Sequence, residues 1–175
     1  MLSNISSCQW PPVLLGPNAS LAAMVYFLSQ SERLPLEEIR KQQSSQLEIL
    51  LEHHVANTPE FAIRLARQGL SVNGISTPAS LKRLAPIDKT YIQDQKDRFF
   101  CESVPAQHQP VGKAQTSGST GQPITVMRSA VTQLIWEAMA IRDHQWNHRD
   151  YALSLCAIRA NIFKEMQQPI WGVPV

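Results

Sequence analysis

The sequence predicts an α/β chain, mainly helical up to about residue 110, then a short β-hairpin, a long helix and a buried strand. Three observations carry that prediction. Apolar residues recur at helical spacing in the first part of the chain, between recognisable helix starts and stops. A run of two glycines and four hydroxyl residues, Thr116-Ser117-Gly118-Ser119-Thr120-Gly121, sits between two short β-like segments. After Ser129 a long amphipathic stretch leads into the dense apolar run from Tyr151 to Ile158.

Taken in order, Leu36, Ile39, Leu47, Leu50 and Leu51 lie near helical spacing with Glu, Lys and Gln between them. Thr58-Pro59 reads as a helix start, with Thr as N-cap and Pro at the first helical position. Gly69 fits the stop. Thr77-Pro78 repeats the start signal before Leu81 and Leu84, and Pro86 bounds that short helix. Asp88 caps a further helix running to Gln95 or Lys96, with Ile87 and Ile92 at the spacing of a hydrophobic staple. Phe99 and Phe100 are expected to anchor its far end in the core. The stretch from Val104 to Gly112 is loop-like, with Pro105 and Pro110. Short strands are expected at Lys113 to Thr116 and Ile124 to Arg128. Ser129 then caps a long helix whose buried side is Val131, Leu134, Ile135, Ala138 and Met139. The boundaries group into a helical region, 1–110, and a second region, 111–175, that holds the glycine-rich turn. Residues from Gln167 to Val175 carry no clear element.

Composition removes several classes of function. With 175 residues and 43% apolar content the chain can bury a core. Sixteen basic residues against 14 acidic ones leave a net charge of only +2, which argues against nucleic-acid binding driven by phosphate neutralisation. Cys8, Cys101 and Cys156 form no CxxC pair, so neither a disulfide framework nor a zinc site is expected. The apolar run from Ala19 to Leu28 is too short for a membrane span, which takes about 20 residues, and no basic segment precedes it as in a signal peptide. The expectation is a cytoplasmic protein.

The glycine-hydroxyl turn is the chemical centre of the sequence. It clusters N–H and O–H donors, and its glycines permit positive φ and close approach of a ligand. Phosphate oxygens suit such a cluster. It is not a Walker A loop, because Gly118 is followed by Ser119 and the turn holds no lysine. It is not a dinucleotide fingerprint either, since the GxGxxG spacing is absent.

At these residues the sequence resembles the adenylate-forming enzymes: acyl-CoA synthetases, adenylation domains and luciferases. Their phosphate loop reads Ser/Thr-Ser-Gly-Ser/Thr-Thr-Gly-x-Pro, and Thr116 to Pro123 matches every position. Ile124 stands where many members have lysine. That, and the upstream segment Leu84-Ala85-Pro86-Ile87-Asp88-Lys89, resembles the phenylacetate–CoA ligase and capsule-biosynthesis (CapK-like) branch, with its "Pro-x-x-Lys" segment. The resemblance implies the N-terminal part of the large domain of such an enzyme, residues 111–175 being the start of its nucleotide-binding domain. It implies ATP and magnesium as cofactors and a carboxylic acid as substrate, activated as acyl-AMP for transfer to coenzyme A or another thiol. It implies hydroxyl contacts to the nucleotide from Thr116, Ser117, Ser119 and Thr120, and backbone donors at Gly118 and Gly121.

No residue here matches the family's adenine-binding segment, its ribose-holding acid, its magnesium-binding glutamate or its C-terminal lysine. The chain is therefore expected to be an N-terminal fragment cut inside a domain, with no catalytic residue of its own and no adenylation activity alone. The rival expectation is a non-catalytic remnant or interaction module, self-associating through surface that truncation exposes. Other residues have plainer readings. His53 and His54 are neighbours that point apart. His144 and His148 share i,i+4 spacing but lack a third metal ligand. Trp136 and Trp146 read as packing residues. Arg142, Arg149 and Arg159 read as solvated surface. Lys89 is a candidate functional residue of the "Pro-x-x-Lys" segment whose simpler role is a first-turn helical lysine, and Lys113 is a candidate phosphate partner that precedes a turn already supplying donors.

Overall fold

The computed structural model describes residues 14–116, 123–150 and 152–156, with Glu165 and Gln167. Among them the chain is mixed α/β, with helices dominating and one two-stranded antiparallel sheet. It divides into two compact units: Ser31–Thr132, and Met1–Gln30 together with Gln133–Val175.

The first of these is built around α2 (Leu36–Asn57), α3 (Pro59–Arg67) and the short α4 (Val72–Ile75). Leu51, Leu65 and Ile75 form its core, with Leu47, Phe61, Leu70, Val72, Leu81 and Leu84 packed against them. The expected apolar stripe of α2 narrows accordingly: Leu47 and Leu51 face this core, whereas Leu36 and Leu50 are exposed. Ile75 has no accessible surface at all.

The start and stop signals of α3 behave differently. Pro59 is the first helical residue, as expected, but the Thr58 side chain makes no capping hydrogen bond. Its Oγ1 instead lies 2.9 Å from His54 Nδ1, and the Thr58 carbonyl accepts from Phe61 and Ala62. A buried threonine wedged between two helices finds its partner on the preceding one. The C-terminus follows the sequence closely. Gly69 takes φ +61°, Leu70 N–H donates to Leu65 O at 3.0 Å, and Gly69 N–H donates to Ala66 O at 3.1 Å. This is the paired 6→1 and 5→2 closure of a Schellman motif, which needs the left-handed residue that glycine supplies.

Beyond α4, Thr77 and Ser80 cap each other reciprocally: each backbone N–H donates to the other's hydroxyl at 3.0 Å. The helix they start is a single 3₁₀ turn, Ser80–Arg83. Asp88 caps α5 (Lys89–Gln95) as read from sequence, its Oδ1 accepting from Tyr91 N–H at 2.7 Å. A 3₁₀ turn, Lys96–Phe99, follows. Phe99 and Phe100 are only half-buried rather than core residues. Phe99 stands edge-on to Tyr91 at 6.0 Å, and Phe100 lies under the Lys113 ammonium at 5.6 Å. After a cis Gln109–Pro110 bond come β1 (Val111–Gln115) and β2 (Thr125–Ser129).

The second unit holds α1 (Pro17–Ser31) and most of α6 (Ala130–Trp146). Ser129 caps α6, its Oγ accepting from Thr132 N–H at 3.2 Å. The expected buried face is narrower than the sequence suggests. Ala138 is buried and Val131 and Leu134 are half-buried, while Ile135 and Met139 are exposed. The inward line steps 131, 134, 138, so residues one position round the helix lose contact. Trp136 and Trp146 are not packing residues: they remain 56% and 58% exposed.

The expected buried strand from Tyr151 is corrected for its described part. Ala152 to Cys156 is turn and irregular chain, exposed throughout, with Leu153 64% accessible. Asp150 decides this. Its Oδ1 accepts from Ala152 N–H at 2.8 Å and its carbonyl accepts from Leu153 N–H at 3.2 Å, a local turn that competes with extension. No helix among the described residues is long and apolar enough to cross a membrane.

Candidate phosphate-binding hairpin and its surroundings

The hairpin that carries the glycine-hydroxyl turn is in strict register. Val111 pairs with Ser129, Gly112 with Arg128, Lys113 with Met127, Ala114 with Val126 and Gln115 with Thr125. Thr116 and Ile124 then close the neck. Thr116 N–H donates to Ile124 O at 3.0 Å, and Ile124 N–H donates to Thr116 Oγ1 at the same distance. Gln115 Nε2 adds a bond to Thr125 Oγ1 at 3.3 Å. The base of the turn is thus fixed on both sides. At the other end, Ala130 N–H donates to Pro110 O, tying β1 to the start of α6.

Of the residues expected to contact phosphate, Thr116 stands at this neck. Ser117, Gly118, Ser119, Thr120 and Gly121 lie outside the described residues, as do Arg159 and Cys8. The Thr116 hydroxyl oxygen accepts the Ile124 amide, so its first task is to brace the neck, leaving its O–H as the donor for a ligand. Ile124, the position of the family's lysine, contributes its backbone rather than a charge. The neck offers amides, hydroxyls and one carboxamide, and no carboxylate. That set suits phosphate oxygens and does not suit a magnesium ion, which takes oxygen ligands and favours carboxylates.

The lysine candidates are placed elsewhere. Lys113 sits mid-strand with its Nζ over the Phe100 ring. Lys89 is the first residue of α5, beside the cap Asp88. The histidine pair at 144 and 148 does not share a helical face, because α6 ends at Trp146 and His148 takes φ +48°. His144 Nδ1 is 2.5 Å from Arg149 Nη1, and Arg149 also pairs with Asp143 at 3.0 Å. Arg142 is held over the Trp146 ring at 4.5 Å. No group of three His, Cys, Asp or Glu residues able to hold a metal exists among the described residues.

Two clusters escaped the sequence reading. In the first, His53 and His54 serve separate networks. Asn57 Nδ2 donates to His53 O at 2.8 Å and sits 3.3 Å from His53 Nδ1, so Nδ1 accepts and Nε2 carries the hydrogen. Nε2 lies 3.2 Å from Cys101 Sγ, whose thiol in turn donates to Ser103 O at 3.0 Å. Asn57, His53, Cys101 and the Ser103 carbonyl thus form one hydrogen-bonded chain. Burial lowers the His54 pKa below the usual 6.5, and the neighbouring His53 adds to the effect.

The second cluster surrounds Glu60, whose side chain is fully buried. Tyr91 donates its hydroxyl to Glu60 Oε1 in a short bond. Arg67 Nη1 is 3.9 Å from the same oxygen, and Arg98 Nε is 3.5 Å from Oε2. Oε2 forms no hydrogen bond, so Arg98 compensates its charge without a directed contact. The bond to Glu60 raises the Tyr91 pKa above its usual 10; burial and the Glu60 charge add, and Arg67 and Arg64 oppose. Glu60, Arg64 and Arg67 follow i, i+4, i+7 spacing on α3, a single helical face that the sequence does display. Beside them opens a cleft of about 380 Å³, lined by Arg64, Arg67, Gln68, Tyr91 and the 85–88 segment.

The sequence matches no protein-family model and no curated protein.

Proposed function

We propose that residues 116–123 form the phosphate loop of an adenylate-forming acid–thiol ligase, and that this chain supplies the loop and the helical region before it. The fold would then be the front part of that enzyme's large domain. The observation that carries this reading is the eight-position pattern from Thr116 to Pro123. Its support in the fold is the neck. A glycine-rich turn has high conformational entropy, and two hydrogen bonds between Thr116 and Ile124 fix where it begins and ends.

In this chemistry a carboxylate oxygen attacks the α-phosphorus of ATP, and the bond to the β-phosphate bridging oxygen breaks. Pyrophosphate leaves with the electron pair, and an acyl-adenylate remains for a thiol such as that of coenzyme A. The loop's amides and hydroxyls would hold the β- and γ-phosphates and offset charge on the leaving group, an electrostatic and positioning role. Magnesium would have to be held by groups other than the neck residues. The chain has no counterpart of the family's adenine, ribose or lysine positions, so nucleotide binding, not turnover, is the property to measure.

Mg-ATP should raise the unfolding midpoint of the 175-residue chain in a concentration-dependent way, since a ligand that binds only the folded state stabilises it by about 2.7 kcal/mol at one hundred times its Kd. Replacing both Ser119 and Thr120 by Ala should abolish that rise while leaving the ligand-free midpoint in place. No stabilisation of the wild-type chain up to millimolar nucleotide would overturn the reading.

A further inference from the structure

The cleft beside Glu60 contains a charge that the described residues leave without a counterion. Arg64 is only 9% exposed. Its Nη2 donates to Ala85 O at 2.6 Å, and among the described residues no carboxylate lies within ion-pairing distance of it. A buried guanidinium normally needs both paired charge and satisfied donors. Here most of its five N–H donors are unspent, and the side chain lines an open cleft. Glu60, one turn earlier on α3, does not supply the missing charge: it is shared between Arg67 and Arg98.

The neighbouring groups share this surplus of donors. Gln68 Oε1 accepts from Ala85 N–H at 2.9 Å, which leaves the amide NH₂ of Gln68 free to donate. Arg64 and Gln68 therefore hold the Ala85 backbone by its carbonyl and its N–H, which ties the 85–88 segment to α3 at the cleft. Arg67, 63% exposed in its side chain, stands at the mouth with Nη1 on the Tyr91 hydroxyl at 3.3 Å and toward Glu60. The Tyr91 hydrogen is committed to Glu60. Asp88 also lines the cleft, and one of its oxygens caps α5. Across cleft and floor, Arg64, Arg67 and Arg98 face Glu60 and Asp88, leaving one positive charge in excess.

We propose that this cleft binds a small oxyanion, a carboxylate or a phosphate monoester, between Arg64 and Arg67 with the Gln68 amide as a third donor. The planar fork of a guanidinium matches either group with two parallel bonds. The site is independent of the phosphate-loop reading, because none of its residues belongs to the hairpin.

The test is a two-dimensional NMR titration of the full chain, following the arginine Nε–H and backbone amide signals, with benzoate in one arm and inorganic phosphate in the other. Saturable shifts at Arg64, Arg67, Gln68 and Ala85 are expected, and the arm that saturates at lower concentration identifies the anion class. Arg67→Gln should weaken binding about tenfold or more, the scale of a lost charge-assisted bond. Arg64→Gln should do the same; if that buried change prevents folding, the exposed Arg67→Gln decides. The Ser119→Ala/Thr120→Ala chain should titrate at the cleft as the wild type does, which separates this site from the loop. Shifts confined to residues 116–123, or an Arg67→Gln titration equal to wild type, would overturn the proposal and leave the two arginines as stabilisers of the α3 C-terminus.

Discussion

The α2–α3–α4 assembly and the β1–β2 hairpin lie in the same unit yet are held by different physics. The helical assembly closes on buried side chains: Leu51, Leu65 and Ile75 exclude water, and Glu60 is drawn in beneath Tyr91 and two arginines. Among its described residues the hairpin has none that is buried. Val126 and Met127 are exposed, and its order comes from the ladder, the Thr116–Ile124 neck and the tie from Ala130 to Pro110. A two-stranded ribbon alone is marginal in water. The helical part thus rests on desolvated side chains, whereas the described strands rest on backbone pairing.

The contrast can be broken most directly by truncating one apolar residue in each region. Ile75→Ala should cost about 2–5 kcal/mol in urea unfolding, since a fully enclosed side chain leaves a cavity as well as losing its transfer energy. Val126→Ala, on an exposed strand face, should change stability by no more than about 0.5 kcal/mol. Equal losses would show that the hairpin is part of the same core. A smaller effect sharpens the account of how the helical assembly is closed. Gly69→Ala forces a Cβ into φ +61°, where the surrounding space is empty but the backbone is not tolerant, and should cost about 1–2 kcal/mol. A neutral result would mean that the Schellman closure is not needed to end α3.

The smallest expected effect is a pH dependence confined to the helical region. Folding lowers the His54 pKa below 6.5, so the folded state favours the neutral ring. Its contribution is complete above about pH 6.5 and is lost as pH falls through the lowered value. Unfolding midpoints measured from pH 7.5 down to 5 should therefore decline, and His54→Asn should flatten part of that decline. An unchanged slope in the variant would remove His54 from the account.

Much of the fold was readable residue by residue. Asp88, Gly69, Pro59 and Ser129 announced helix ends correctly, because a cap acts on an N–H or carbonyl only a few residues away. The hairpin strands were off by one or two residues at their ends, the usual slack of a boundary set by the last ladder bond. Three readings failed for a common reason. Thr58 capped nothing because His54 competed for its hydroxyl; the 152–156 segment bent because Asp150 captured its amides; Ile135 and Met139 faced outward because the stripe of α6 packs along a narrower line. In each case an apolar or hydroxyl residue suited two arrangements, and the sequence does not rank them.

What the sequence determined by itself is the set of local signals: the helix caps, the left-handed stop at Gly69, and the hydroxyl-glycine pattern with its proposed phosphate chemistry. Tertiary structure alone decided which charges were buried and which partners they found. Glu60 meets Tyr91 across 31 residues, and His53 meets Cys101 across 48. Those contacts, and the Arg64 beside them that pairs with no carboxylate among the described residues, exist because packing α2 against α3 and α4 removes water from specific side chains. Desolvation depends on the whole surrounding surface, which no local pattern encodes.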